Sequence, residues 1–509
     1  MLLTIRERSL KVADCIKTQT CATLQSISTL TGIHRSSVYR HRQAIARRNQ
    51  HPESSLWESD VGYQWLVRLV FGLVYYFGIK QGVGAESLSE FIKAVHLDTH
   101  VASSPSALRQ LKGRVTQTVS DYAEAQAAHC QPKAGEGICV GADETFFGLP
   151  VLVLIELSSG FIFIETECEN RTYETWLEQV QSWQKQHGWH CHYLVSDGAR
   201  ALVKLAVSGL GCVNVADLFH ALRALSRPLG QTLARRLAAL KKQPDERQRQ
   251  QFEQDDNTYQ HALEAISQAI HPFALNSSRW QTERDVLTQL APPLQQLWNL
   301  AHEYRSEKAQ AALDTFENQV SSFAQGINAW QQWVTLALEA KTPEDAIRQW
   351  VRACLLPWVY WLQQADKTRQ PVLKRSYQQA ASDAFDRLVE HPFTRQLTDD
   401  QQQQWVLWCR EFCAKYQRTS SAVEGRNGYL AKLHHARRGF SEQSLKALTI
   451  IHNFDLKRDD GTTAAQRLFK HDFPNPFEWM LANIGELPMP RQSAKAQQAK
   501  TAYVDSFSA

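Results

Sequence analysis

The spacing of hydrophobic positions along the chain changes several times, and each change predicts a different kind of element. Between Thr23 and Arg48, Ile27, Ile33 and Val38 fit two short helices that meet at Gly32, with Ser28 small enough for the crossing and the second helix starting near Arg35. Residues 56–125 keep helical spacing through the apolar stretch Trp65 to Phe77, then Ser87–Val95, then a basic segment from Arg109 to Arg114 that runs into Val119. At Gly137 the period shortens. Ile138–Asp143, Val151–Leu157 and Phe161–Glu167 are compact β-branched runs divided by Gly148-Leu149-Pro150 and Ser158-Ser159-Gly160, which predicts a three-strand meander. A helix follows over Arg171 to His187 with Trp176, Val180 and Trp183 at helical spacing; then come an apolar run at His192–Ser196, a helix from Ala199, and a last run at Cys212–Ala216. The predicted order is β-β-β-α-β-α-β. From Leu225 to Tyr416 the chain is rich in Gln, Ala, Leu and Trp with almost no strand signal, so a long helical block is expected, its most polar part, Pro244 to Asp256, reading as a loop.

At 509 residues the chain is too long for one core. The pattern divides it into a helical domain at 1–50, a second helical region at 51–136, the first part of an α/β core at 137–225, an all-helical insertion at 226–415, completion of the core at 416–486, and a poorly ordered tail at 487–509. A hydrophobic share of 43% with 21% charged residues argues for a globular chain. Net charge is only +4, but the first fifty residues carry nine Lys and Arg against two acids, which suits a polyanion. That local excess turns the two helices about Gly32 into a candidate helix-turn-helix. Its outer face offers Arg35, Ser36, Tyr39, Arg40, Arg42 and Gln43, a mixture of phosphate-binding and base-reading side chains, and a small structural helix packet is the plainer alternative. The second helical region would serve DNA binding or dimerisation. Ten cysteines without a CxxC pair, and no charged start leading into an apolar signal, point to a reducing, cytoplasmic setting associated with the nucleoid. Val61 to Ile79, broken by Gln64, Arg68 and glycines, reads as a buried helix and not a membrane span.

Three acids could do chemistry together. Asp143 ends the first strand and Asp197 follows the fourth, so adjacent strands would bring the two carboxylates face to face; Glu424 lies on a helix expected to begin near Ser421 and to pack back on the sheet. Converging carboxylates repel unless cations neutralise them, and hard oxygen donors favour Mg²⁺ or Mn²⁺, two ions per site. Each acid also has an ordinary explanation: Asp197 in Ser196-Asp197-Gly198 as a turn residue, Glu424 as the far member of a capping box with Ser421, and either Asp143 or Glu144 as a bystander, since strand alternation sends them to opposite faces.

The segments Gly141-Ala142-Asp143-Glu144-Thr145, Leu194-Val195-Ser196-Asp197-Gly198, Asp217-Leu218-Phe219-His220 and Ser420-Ser421-Ala422-Val423-Glu424-Gly425-Arg426-Asn427 together resemble the DDE transposases of bacterial insertion sequences, in the Mutator-like and related groups. The resemblance spans roughly residues 137–225 and 415–470, and Gly461 to Phe469 resembles a tail shared by one set of bacterial transposase-like proteins. It implies a multidomain α/β protein: an RNase H-like catalytic core, interrupted by the all-α insertion and preceded by the helix-turn-helix. It implies Asp143, Asp197 and Glu424 as catalytic metal ligands and Asp217 with His220 as an accessory pair. Past Glu424 the helix carries Arg426, Lys432, His434, His435, Arg437 and Arg438 with no acid before Gly439, a solvated basic face or a clamp on DNA phosphates. Other clusters are weaker: His187, His190, Cys191 and His192 scatter over both faces of a strand, Cys409 and Cys413 read as packing, and the Trp residues from Trp280 to Trp408 as core, with one or two able to stack on a base.

The activity that the resemblance implies is DNA cleavage at transposon ends to leave a 3′-hydroxyl, followed by attack of that hydroxyl on target DNA. Double-stranded DNA is then the partner, and one site per end implies a homodimer or higher homo-oligomer. Two alternatives stay open: a non-mobile nuclease of the same fold, and a catalytically silent DNA-binding regulator.

Overall fold

The computed structural model describes residues 5–18, 23–48, 51–132, 136–240, 245–437 and 439–490. Arg438 and the residues from 491 lie outside them, and so does most of the poorly ordered tail expected at 487–509; in its described part Leu487 is buried and Pro488 O accepts the Ala102 N–H at 2.7 Å, contrary to that expectation. The described residues form a mixed α/β protein of two compact units, the first within Met1–His129, Ala431–Thr463 and Asp472–Ala509, the second within Cys130–Leu430 and Ala464–His471.

The first unit starts with α1 (Ile5–Thr18), α2 (Leu24–Thr31) and α3 (Arg35–Arg48). Thr23 caps α2 through its side chain, and Gly32, at φ 68°, ends it by donating its N–H to Ser28 O. Val12, Ile27, Ile33, Val38 and Ile45 close one small core, as the apolar spacing predicted for the last two helices. Further on are α4 (Asp60–Gly72), α5 (Ala85–Ala94) and α6 (Pro105–Gln126). The apolar stretch expected as a buried helix is helical, α4 with the wide turns Leu73–Lys80, where Tyr75 and Lys80 both donate to Asp455 at 2.8 Å, but it is buried on one face only: Leu66, Val70 and Val74 are inside, whereas Val61, Trp65 and Leu69 are exposed. No described helix is long and apolar enough to cross a membrane.

The second unit holds the sheet: β1 (Gly137–Phe146), β2 (Pro150–Glu156), β3 (Ile162–Glu167), β4 (His190–Ser196) and β5 (Val213–Ala216), in the order β3-β2-β1-β4-β5. The tight turns make β1, β2 and β3 antiparallel, whereas β4 and β5 join parallel, β4 beside β1. A parallel addition needs a crossover. It is supplied by α7 (Tyr173–His187), which buries Trp176, Val180 and Trp183, and then by α8 (Arg200–Lys204) before β5. Every residue of β2 is buried, as befits a strand flanked on both sides.

After β5 the chain becomes helical: α9 (Leu218–Leu240), α10 (Glu246–Ala269), α11 (Glu283–Glu303), the 35-residue α12 (Glu307–Lys341), α13 (Asp345–Trp350), α14 (Leu356–Lys367), α15 (Pro371–Glu390) and α16 (Asp399–Lys415). The loop expected at Pro244 to Asp256 is instead mostly the start of α10. Asp245 caps it by accepting from the N–H groups of Arg247 and Gln248, and Asp255, far from being a solvated loop residue, is buried and accepts from the Tyr304 hydroxyl. One capping acid outweighed a run of polar residues that have no intrinsic quarrel with a helix. Trp330, Trp333, Trp350 and Trp361 are core residues, and Cys409 and Cys413 are buried packing groups. Close approach of α12 to the sheet depends on Gly326, where a Cβ would sit 2.7 Å from Val215 Cγ2. The chain ends through α17 (Ser421–Arg437), α18 (Glu442–Phe454), α19 (Ala464–Phe469) and α20 (Pro476–Asn483).

Candidate active site

The second unit gathers acids from four elements. Gly141 pairs with Val195 across the parallel β1–β4 ladder, so the strands carry Asp143 and, one residue past the end of β4, Asp197 to the same end of the sheet. The first part of α17 packs close to β1 because Gly141 has no side chain: a Cβ there would lie 2.7 Å from Leu157 Cδ2 and 3.1 Å from Val423 Cγ2. Three residues after Glu424, and so on the same helix face, Asn427 donates from Nδ2 to Asp143 Oδ2 at 2.9 Å. Burial, then the charges of Glu424, Asp197 and Glu144, push the Asp143 carboxyl up to about 6.

Glu424 lies against His220 and Asp217. Its Oε1 lies 3.2 Å from His220 Nε2, and His220 Nδ1 lies 3.6 Å from Asp217 Oδ2. Asp217 is 2% exposed and fixed from both sides: Oδ1 accepts the His220 N–H at 3.0 Å, and Oδ2 accepts the Ser420 N–H at 2.5 Å as well as the Ser420 hydroxyl. One buried carboxylate thus ties the start of α9 to the start of α17. Glu424 forms no capping box with Ser421: the helix begins at Ser421, Ser420 O accepts the Glu424 N–H, and the side chain turns to His220. Asp197 does act on its own turn, accepting the Ala199 N–H at 2.9 Å, yet its side chain stays exposed and electrostatically coupled to Asp143.

Glu144, expected to be one candidate bystander, is 3% exposed, accepts from Trp176 Nε1 at 3.1 Å and faces Arg171 at 3.7 Å. Burial raises its carboxyl, and Asp197 adds to that rise while Trp176 and Arg171 oppose it. The three acids are not bunched as tightly as one ion requires. Among the described residues, the group of His, Cys, Asp or Glu whose ligand atoms all fall within 4.8 Å is His51, Glu53 and His96 in the first unit.

Two expectations for the basic residues change. Arg426 is no open phosphate contact: it forks onto Glu165 through Nε to Oε1 at 2.7 Å and Nη2 to Oε2 at 2.6 Å, with both side chains at most 1% exposed. The Gly-rich helix sinks that face against β3, and the charge is spent on a buried pair. Lys432 is exposed, whereas the Arg437 side chain and all of Arg438 lie outside the described residues. In the first unit Arg35, Ser36, Tyr39, Arg40 and Arg42 are all exposed on α3. Of the cluster His187, His190, Cys191 and His192, the His187 side chain is outside the described residues, Cys191 is buried, and His192 stacks on Trp333 with ring centres 4.2 Å apart. Sequence reasoning missed Asn427 and Glu165; the i, i+3 spacing from Glu424 was the available signal for the first, and nothing local marked the second.

A family of unknown function, DUF6399, matches residues 351–496. That stretch contains Glu424, Arg426 and Asn427 but neither Asp143 nor Asp197. No curated protein matches the chain.

Proposed function

We propose that this protein is a DDE-type transposase, cutting DNA at transposon ends and joining the cut strand to target DNA, with an RNase H-like core interrupted by the helical block and a helix-turn-helix made by α2 and α3. The sheet order and the β-β-β-α-β-α-β sequence of elements support the fold. The observation that carries the chemistry is the convergence of Asp143, Asp197 and Glu424 from β1, the end of β4 and α17, close enough that the charges of Glu424 and Asp197 add to the rise that burial gives the Asp143 carboxyl.

The donor set is all oxygen and anionic, which fits Mg²⁺ or Mn²⁺ held by Asp143, Asp197 and Glu424. Two such ions, when bound, supply Lewis-acid activation of the attacking oxygen and neutralise the leaving one. The chain's own residues position the parts. Asn427 fixes the Asp143 carboxylate, and His220, anchored by Asp217, holds Glu424 in place. Water attacks the scissile phosphorus in line; the new P–O bond forms as the P–O3′ bond breaks, leaving a 3′-hydroxyl and a 5′-phosphate. The 3′-hydroxyl then attacks a target phosphodiester, one P–O bond replacing another, with no covalent enzyme–DNA link. Arg35, Arg40 and Arg42 of α3 would grip phosphates while Ser36 and Tyr39 reach base edges. One site per DNA end makes the working unit a homodimer or larger.

The test is cleavage and strand transfer in Mg²⁺ or Mn²⁺ on DNA carrying the sequences that flank the gene, comparing wild type with Asp197→Asn and Glu424→Gln. Both products should vanish in both variants while DNA binding persists. Activity that survives both substitutions, or a wild type inactive with either ion, refutes the proposal.

A further inference from the structure

With Arg426 drawn into its buried pair with Glu165, the acids lack the open arginine expected on α17. Phosphates brought up to three carboxylates are repelled, so cations must stand near the acids on an open surface. Two arginines do, on opposite sides of the sheet edge. Beyond Asp143, β1 runs on to Phe146, and strand alternation puts Glu144 and Phe146 on the face that holds Trp176 of α7, away from α17, which packs over Gly141 and Asp143. There the Arg171 guanidinium lies 5.2 Å from the Phe146 ring centre and 3.7 Å from Glu144. On the α17 side, α9 carries His220, whose Nε2 meets Glu424, and one turn further on Arg223, its guanidinium 5.9 Å from the ring centre of Phe219. Both phenylalanines are half bare, Phe146 at 56% and Phe219 at 50% exposure, and both arginines are exposed. Among the described residues neither guanidinium donates a hydrogen bond, so each keeps its five N–H groups open to a ligand, unlike Arg426.

A guanidinium laid over an aromatic ring is held in plane, with its fork of donors turned to solvent, and that fork matches two oxygens of one phosphate. Phe146 stands three residues, roughly 10 Å, past Asp143, and Arg223 one turn, about 5 Å, past His220. A small anion therefore reaches one pair only, whereas a backbone of successive phosphates meets one pair, the acids and the other pair in turn. We propose that Arg171 and Arg223, each stacked on its phenylalanine, grip the backbone phosphates on either side of the bond that the three acids address. The inference rests on the DNA-cutting function proposed above and adds to it the residues that seat the strand.

The test uses the full chain and DNA carrying the sequences that flank the gene, with one backbone phosphate at a time replaced by a neutral methylphosphonate. Arg171→Ala and Arg223→Ala should each weaken binding of the unmodified DNA about tenfold or more, lower the salt slope by about one and leave the thermal midpoint unchanged. Arg171→Lys and Arg223→Lys, which keep the charge and lose the fork, should keep the slope and recover part of the affinity. A methylphosphonate at the contacted phosphate should weaken the wild type by the same factor and the matching alanine variant no further, and the two contacted positions should lie on opposite sides of the cut. Alanine variants that bind like the wild type, methylphosphonate effects that add to theirs at every position, or two contacts on one side of the cut overturn the proposal. If metal-dependent cleavage continues in that case, the clamp falls alone. If the coupling appears but no DNA is ever cut, the transposase reading falls and the two arginines stand as a DNA-binding surface.

Discussion

Replacing Asp143 by Asn should stabilise the ion-free protein while destroying its catalysis. Lifting a carboxyl from its ordinary value near 3.8 to about 6 means that its charged form is disfavoured in the fold by about 3 kcal/mol, each tenfold step being worth ~1.4 kcal/mol. Asp143 is only partly buried, and solvent screening reduces this to about 1–2 kcal/mol. The direction follows from linkage. A folded-state value above the unfolded one means that both states are protonated and no penalty exists below about pH 4. The penalty grows between about 4 and 6 and is full above 6. Asn keeps an oxygen to accept from Asn427 and removes a charge that burial disfavours most and that Glu424 and Asp197 oppose in addition. In thermal scans with chelator, Asp143→Asn should therefore melt roughly 2–3 °C higher than wild type at pH 7.5, and the gap should close towards pH 4. Added Mg²⁺ should raise the wild type and not the variant, because only the wild type gains from neutralising the three acids. A variant that melts lower at pH 7.5, or a gap that does not change with pH, would show that the Asp143 charge is not disfavoured by burial and its neighbouring acids as described.

Arg426→Ala should cost about 3–5 kcal/mol, since it removes one side of a buried ion pair with Glu165, and a large drop in the thermal midpoint with an unaltered salt slope of DNA binding would separate this role from a phosphate clamp. Gly141→Val should lower cleavage well before it abolishes folding, because the added branch meets Val423 and moves Glu424 away from Asp143; retained full activity would contradict the close packing of α17 on β1. Arg40→Ala, on an exposed helix face, should weaken binding of all DNA sequences alike and reduce the salt slope by about one, measured by fluorescence anisotropy across a salt series.

Where one element's periodicity sufficed, the sequence was legible. The strands and α7 follow directly from apolar spacing, because a strand buried on both faces and a helix with Trp176 and Trp183 inward leave few other solutions. The start of α17 was equally open to reading, whereas β1 does not end at Asp143 as expected but runs on, paired with β2, to Phe146. What stayed hidden is non-local. Glu165 on β3 and Arg426 on α17 are 261 residues apart, and an Arg in a run of basic residues looks the same whether it ends in solvent or in a buried fork. The start of α10 was hidden for the opposite reason: its polar residues carry no apolar stripe of their own until Asp255 and Tyr259 meet the neighbouring helices.

The same non-locality explains how a site assembled from distant segments can be rigid. Glu424 does not reach its position through its own helix alone. Ser420, immediately before α17, is gripped by Asp217, which also receives the first turn of α9, and Leu218 N–H donates to Arg418 O at 2.9 Å, so two helices separated by the whole helical block begin from one shared set of hydrogen bonds. β5 ends at Ala216, and Asp217 donates its own N–H to Ser196 O at 2.8 Å, the residue before Asp197. Asp217 is therefore the joint at which the β4 turn, α9 and α17 meet. Its removal should disorganise Asp197 and Glu424 together, whereas loss of His220 should free Glu424 alone. Burial explains the difference: an acid 2% exposed that satisfies two backbone N–H groups and a hydroxyl has no solvent to substitute for any of them.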